Sequence, residues 1–591
     1  MKYQVLLFML FPLLLSCSFQ IRERYEIPRH TEVLQEEIQS FIEEDKPEMV
    51  IETIQYLQSQ DRSFPEMEVL YRDALELLER QYDNAVNENQ YLTALSKYRS
   101  LRALGGDDIP EHGEGMFFMQ FALEQLEDIE SPVPGTMTGL IAMDFPGIEA
   151  EVLREYYDIV RENENIPVMR RIIEYAQEQY AEQIDFIPEM PEAGEVTTAE
   201  LMNGAVTIWV NRGIRIENGL GFPDRVIGSG FFIDNQGHIL TNYHVISSEV
   251  DPEFEGYSRL FIRLSENSQE RIPARVIGYD RIFDLALLKV EIDPEFAFQF
   301  VGREDFEPGE QIFAIGSPGG LENTITSGII SATGRAFLQM GDAMQVDVPI
   351  NPGSSGGPLL NSEGELAGIV FSGIEQFEGV NFAVPSHWIR DLMPELYAGD
   401  EVGHVWVGAA LHDVREQQTV MYTVPGSPAD RIGLSPGDRI ISINGQEFDD
   451  VQEIHKMLLT YTGNTLINIE WQRDDQRMSG VLCLDERPFN PIEAAFELDS
   501  RVNLLVPLFG LEIERTTSNI IETNYIVSHV YQGSIADESG ISENDPLRIM
   551  EWNYLEEEEA VTVQLFIKKR RLGFLESVIQ IGSYLQKNNF I

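Results

Sequence analysis

The chain runs to 591 residues, too many for a single hydrophobic core, so roughly three to four domains are expected. Its 42 lysines and arginines face 99 aspartates and glutamates, a formal charge of −57. Nucleic-acid binding needs a basic footprint, which this balance excludes, and polybasic docking on anionic lipid is disfavoured; most of the charge is read as solvated surface.

At the N-terminus Lys2 precedes an apolar run from Val5 to Leu15, followed by Ser16-Cys17. That run is short for a bilayer span and reads as a signal peptide over residues 1–16. Leu14-Leu15-Ser16-Cys17 resembles a bacterial lipobox. This implies cleavage before Cys17, acylation of its thiol, and a lipid anchor holding the chain in the cell envelope, facing the periplasm or the exterior. Cys483 is the only other cysteine, so no intramolecular disulfide survives such processing.

Residues 17–185 are expected to form an all-α domain, with apolar positions at three- and four-residue spacing from about residue 25. Val33, Ile38 and Ile42 mark one helix; Val50, Ile54 and Leu57 mark another, opened by Pro47 as its first helical residue. The stretch from Asn89 to Lys97 and Tyr98 resembles one helix of a tetratricopeptide repeat, with small Ala94 admitting a neighbour and Tyr91 and Tyr98 filling its groove. No clean 34-residue period follows, so the domain is read only as helical-repeat-like, for docking or for spacing. Residues 186–196, Pro-, Gly- and Glu-rich, read as a linker.

From 197 to 398 short β-branched runs alternate with glycine turns, the pattern of two six-stranded antiparallel barrels. Strand-like runs flank a turn at Asn235-Gln236-Gly237, and His244 follows the second run; His238 belongs to the turn and is assigned no role. Asp284 opens the apolar run Leu285-Ala286-Leu287-Leu288, where a carboxylate needs a hydrogen-bond partner such as a histidine ring. Asp280 is the competing carboxylate, and its turn-like surroundings favour a solvated role. Ser355 sits in Asn351-Pro352-Gly353-Ser354-Ser355-Gly356-Gly357-Pro358. A serine hydroxyl needs a base, itself oriented by a third group, and a sharp glycine turn aims backbone N–H groups at one point. The order His, Asp, Ser is that of chymotrypsin-like enzymes.

Five segments carry a family resemblance: Thr241-Asn242-Tyr243-His244-Val245-Ile246, Asp284 to Val290, Ile315 to Pro318, Ser327 to Ala332, and Val346 to Gly353. Together they resemble the HtrA family of trypsin-fold serine proteases, bacterial-envelope and organellar quality-control enzymes. The resemblance implies that His244 is the base, Asp284 its orienter and Ser355 the nucleophile, with an oxyanion hole from the N–H groups of Gly353 and Ser355 and a contribution from Ser354. It implies protein substrates, no cofactor, and trimeric assembly or a higher oligomer. Ser354 stands where the family usually has Asn, and Val348 where it has a small residue. Trypsins activated by trimming carry Asp before the nucleophile; Ser354 there argues against that activation. The resemblance puts Ile350 and Val380 at the specificity pocket, which predicts cleavage after small or medium aliphatic residues.

Gly426 to Gly445 resembles a PDZ domain, expected over 400–487, with its carboxylate loop at Val407, Gly408 and Ala409. Such domains bind an extended peptide, usually a C-terminus, at a sheet edge. Gly533 to Asp545 aligns with Gly426 to Asp438, sharing seven of thirteen residues, which predicts a second, divergent PDZ-like domain over 500–591. Asn544 replaces a turn glycine there, and Glu556 to Glu559 stand where a turn is expected, which puts its groove in doubt. The whole reads as a lipid-anchored envelope serine endopeptidase acting on misfolded or tagged proteins. The alternative is a non-proteolytic PDZ and helical scaffold; a metalloprotease fails for lack of His-Glu-x-x-His.

Overall fold

The computed structural model describes residues 31–591 apart from 106–112, 181–195, 218, 266–268, 301–305, 321–323, 336, 374–378, 414–416, 500, 519–522, 556–559, 570–574 and 585–586. The leader with Cys17, nearly all of the linker 186–196, and Glu556 to Glu559 lie outside the described residues. The described chain forms two bodies, one of Arg29–Ile492 together with Gln586–Ile591, the other of Glu493–Leu585.

Apolar spacing makes the first part of the larger body all-helical: Thr31–Glu43, Pro47–Ser59, Met67–Asn87, Tyr91–Ala103, Glu114–Asp128, Val133–Ala142, Ala150–Glu162 and Ile166–Tyr180. Pro47 opens its helix, where a missing N–H goes unnoticed. Ile38, Val50, Ile54 and Leu57 are buried, but Val33 is 46% exposed, because Leu34 lies one helical turn from Ile38 and takes the core position instead. Ala94 is fully buried, and Tyr98 packs between the rings of Tyr82 and Phe117.

These helices brace two other modules. Ser131 hydrogen-bonds Asp234, Gln299 donates to the Glu164 carbonyl, and Arg390 pairs with Asp144 at 2.9 Å. On the other side Ser100 Oγ accepts from Leu466 N–H, and Glu52 accepts from Arg431 and from Cys483 N–H. Arg99, 3% exposed, pairs with Glu114, donates to the Thr460 carbonyl and lies 3.8 Å over the Tyr461 ring. Replacing Arg99 by Met strands Glu114 and removes these bonds, so a loss of about 3 kcal/mol is expected, read as a lowered thermal midpoint.

The segment 198–401 forms two sheets. One is a closed barrel of Ala343–Val346, Asn381–Pro385, Leu366–Gly373, Pro358–Leu360, Gln311–Gly316 and Thr324–Arg335. The other departs from the expected six-stranded barrel. It has eight strands, in the order Asp400–Glu401, Arg275–Asp280, Leu285–Lys289, His238–Thr241, Leu220–Phe232, Ala205–Glu217, Leu260–Leu264 and Ile272–Pro273. Asp400–Glu401 adds a parallel strand at one edge, and at the other the two-residue strand ends in Pro273, which has no N–H to extend the ladder. His238 opens a strand rather than sitting in the turn, and its Nδ1 pairs with Asp234 at 2.6 Å.

Asp280 is also corrected. It is fully buried, accepts from the N–H groups of Ile282 and Phe283, and pairs with His404 at 2.9 Å. A carboxylate this enclosed is held by those donors.

After the helix Ser386–Ala398 come five strands, Ala409–Asp413, Gln418–Thr423, Arg439–Ile443, Leu466–Arg473 and Gln476–Cys483, with helices Pro428–Arg431 and Val451–Leu459. Ser427 caps the first helix, and Asn444 and Gly445, both at positive φ, turn the chain after Arg439–Ile443. Cys483 is buried and free.

The second body repeats this plan with Leu511–Ser518, Thr523–Val530, Pro546–Leu555, Ala560–Lys569 and Leu575–Tyr584. Ser534 caps Ile535–Glu538 as Ser427 does its helix. Asn544 sits at φ +67° where Gly437 has +93°, a region asparagine tolerates. Only four residues join Pro546–Leu555 to Ala560–Lys569, so there is no room for a counterpart of Val451–Leu459. The domain also stops short of residue 591: Gln586–Ile591 belongs to the first body.

Candidate active site and peptide groove

Strand His238–Thr241 delivers the chain to the helix Tyr243–Val250, placing His244 in its first turn. Asp284 has φ +55°, a left-handed turn that aspartate tolerates better than most residues. Its Oδ1 accepts from His244 N–H at 2.8 Å and its Oδ2 meets His244 Nδ1 at 2.7 Å. The Asp284 carbonyl is fixed in turn by Tyr243 N–H and by Nδ2 of fully buried Asn242. A carboxylate can only accept, so Nδ1 carries the proton and Nε2 presents its lone pair. Partial burial pulls the His244 pKa down, but the hydrogen bond and charge of Asp284 outweigh it and leave the ring above the ordinary histidine value.

Ser355 is half-buried in a loop bracketed by Gly353 at φ +104° and Gly356 at φ +84°. A Cβ on Gly356 would lie 2.3 Å from the Ser229 carbonyl and from Thr241 Oγ1, so this turn admits glycine alone. Among the described residues, the N–H groups of Gly353 and Ser355 have no internal acceptor, whereas Ser354 N–H donates to the Asn351 carbonyl at 2.9 Å. Ser354 is therefore removed from the expected oxyanion donors: its N–H closes the turn. No hydrogen bond joins Ser355 Oγ to His244 among those of the described residues.

Ile350 is half-buried against the closed barrel's core, and half-buried Val380 packs against the larger apolar cluster. Asn381, next to Val380, donates to the carbonyl of fully buried Val348 at 2.7 Å.

The expected carboxylate loop sits at one end of a filled groove. Val407 N–H and Gly408 N–H donate to the Ile591 carbonyl oxygen at 3.0 and 2.8 Å, and Ile591 N–H donates to the Ala409 carbonyl at 2.9 Å.

The trypsin-like peptidase domain family matches residues 228–369, the stretch that holds His244, Asp284 and Ser355. A probable periplasmic serine endoprotease, DegP-like, of Marinomonas sp. is 30% identical over 341 residues, covering 55% of this chain and 70% of the relative. A DegP-like relative of Hahella chejuensis is 32% identical over 340 residues, 54% and 70% of the two chains. The chain belongs to the HtrA/DegP family of serine endoproteases. Its PDZ modules are matched separately, by the PDZ domain family over 419–473 and the TP0546 family PDZ domain over 492–585. A domain of unknown function matches 32–116. Among solved structures, an HtrA-type protease AlgW with tripeptide is 26% identical at a TM-score of 0.43, over 49% of this chain and 96% of that one.

Within this HtrA/DegP site, sequence reading missed Ser229. It is 1% exposed; its Oγ donates to the Gly353 carbonyl at 2.7 Å and accepts from Ser317 N–H, and its N–H donates to the Ser355 carbonyl at 2.8 Å. One residue thus ties down the carbonyls of both Gly353 and Ser355. Its signal was the small residue between Gly228 and Gly230, where a strand admits a close backbone. Replacing Ser229 by Ala is expected to lower kcat about 100-fold with KM little changed, as steady-state kinetics on a peptide substrate would show.

Proposed function

We propose that Ser355 is the nucleophile, His244 the general base and Asp284 its orienter in peptide-bond hydrolysis. Ser355 Oγ attacks the scissile carbonyl carbon while His244 Nε2 takes the hydroxyl proton. The oxyanion that forms is held by the N–H groups of Gly353 and Ser355, and His244 returns the proton to the leaving amine. Water then repeats the sequence on the acyl-enzyme. The observation that carries this reading is the His244–Asp284 contact at 2.7 Å, which leaves Nε2 as the basic nitrogen. Ser355 Oγ and His244 Nε2 meet when substrate is bound, a contact that free enzymes often leave unmade.

The substrates are misfolded or tagged proteins of the cell envelope, a place supported by the periplasmic DegP-like relatives. The lipid anchor at Cys17 rests on the leader sequence. Ile350 and Val380 frame a pocket for small or medium aliphatic side chains, and equal cleavage after arginine in a peptide library would refute that. The first PDZ domain binds peptide ends through Val407, Gly408 and Ala409. The second has only four residues where the first has the stretch that holds Val451–Leu459, and serves as a docking module. The helical domain works as a brace and docking scaffold of helical-repeat type.

The deciding experiment is a fluorophosphonate probe followed by peptide mapping. Label on Ser355 is expected; no label, with or without an added PDZ-binding peptide, would favour the non-proteolytic scaffold.

A further inference from the structure

Strand Ala409–Asp413 lies at the border of its five-stranded sheet, so one edge is open for strand addition. Residues 590–591 take that edge. Phe590 bridges Ala410 in antiparallel register, and Ile591 closes backbone bonds to Ala409, Val407 and Gly408. Asn588, Phe590 and Ile591 are all buried, and Ile591 joins the apolar cluster that includes Val407, Ile454 and Leu458. Gly408 is at φ +83° and its Cβ would collide with Ser427 at 2.2 Å, so the two converging N–H groups exist because the residue is glycine.

The facing helix Val451–Leu459 supplies the other wall through fully buried His455. Gly341 N–H donates to its Nδ1 at 3.0 Å, so Nε2 carries the proton and donates to the Phe590 carbonyl at 3.1 Å. Burial pushes this ring down to about 3, which keeps it neutral near pH 7. An empty groove leaves that donor buried without its acceptor.

We propose that residues 588–591 are the resident ligand of the first PDZ groove, and that a peptide with a branched aliphatic end enters only by displacing them. The proposal rests on the reading of this domain as a peptide-binding module. A tethered segment presents itself at about 1 mM. A free peptide of the same sequence with an intrinsic Kd of about 10 μM would then bind the intact chain about 100-fold more weakly than a chain without the segment.

Fluorescein-labelled Gln-Lys-Asn-Asn-Phe-Ile, the sequence of residues 586–591, tests this by anisotropy. It is titrated into the intact chain, a chain lacking residues 588–591, and the Ile591→Asp chain. Binding about 10- to 100-fold tighter to both altered chains is expected. Equal affinity for all three overturns the tether yet leaves the groove a peptide site, whereas no binding to any overturns both. Should the truncated chain fail to melt cooperatively, the Ile591→Asp chain keeps the comparison decisive.

Discussion

Replacing Ser355 by Ala should lower kcat by about 10⁶-fold while leaving the thermal midpoint where it was. The two halves of that expectation come from different observations. Ser355 Oγ makes no hydrogen bond among those of the described residues, so its removal strands no partner and stability should move by less than about 0.5 kcal/mol. The other hydroxyl of this loop, Ser354, packs against Gly316 and is not expected to substitute for it. Residual hydrolysis from those N–H groups and substrate binding should stay about 10³-fold above the uncatalysed rate. Active-site titration and steady-state kinetics check both halves. Retention of more than about 1% of wild-type kcat would mean that another nucleophile does the work.

Asp284→Asn should cost about 10⁴-fold in kcat and shift the pH profile as well. Asp284 does two things: it holds the proton on Nδ1, and it raises the His244 pKa against the opposing pull of burial. The base works only when neutral, so activity rises as pH climbs through the His244 pKa. In the wild type that acid limb should lie above about 6.5, the ordinary histidine value. In the Asp284→Asn enzyme both raising influences go, burial remains, and the limb moves to lower pH while the plateau falls. A limb that stays in place would show that another group controls it.

His244, Asp284 and Ser355 can be proposed from the sequence because they lie in short local patterns whose chain order is itself informative, and the structure brings His244 and Asp284 together. The turn logic of the PDZ modules was legible for the same reason, and Asn544 at positive φ shows a substitution obeying it. What was not legible depended on distant partners. Asp280 looks solvated beside its neighbours, yet it meets His404, 124 residues away in sequence. Ser354 reads as a third oxyanion donor by its place in the loop, yet its N–H donates to the Asn351 carbonyl. Nothing in Asn588-Asn589-Phe590-Ile591 announces a groove ligand, because strand addition is written in backbone bonds rather than side chains. The phase error at Val33 is of a different kind: one residue's slip turns an apolar side chain from core to solvent.

The helical brace has a mechanical consequence. Arg99, Ser100 and Glu52 fasten it to the first PDZ domain, and Ser131, Asp144 and Glu164 fasten it to the protease. Held at both of these sets of contacts, the helices tie the first PDZ domain to the protease. If a peptide displaces residues 588–591, the hydrogen bonds that run from the Phe590 carbonyl through His455 to Gly341 N–H are the ones it disturbs. Such an event leaves the scattering profile of this body nearly unaltered and registers in local amide exchange around Gly341.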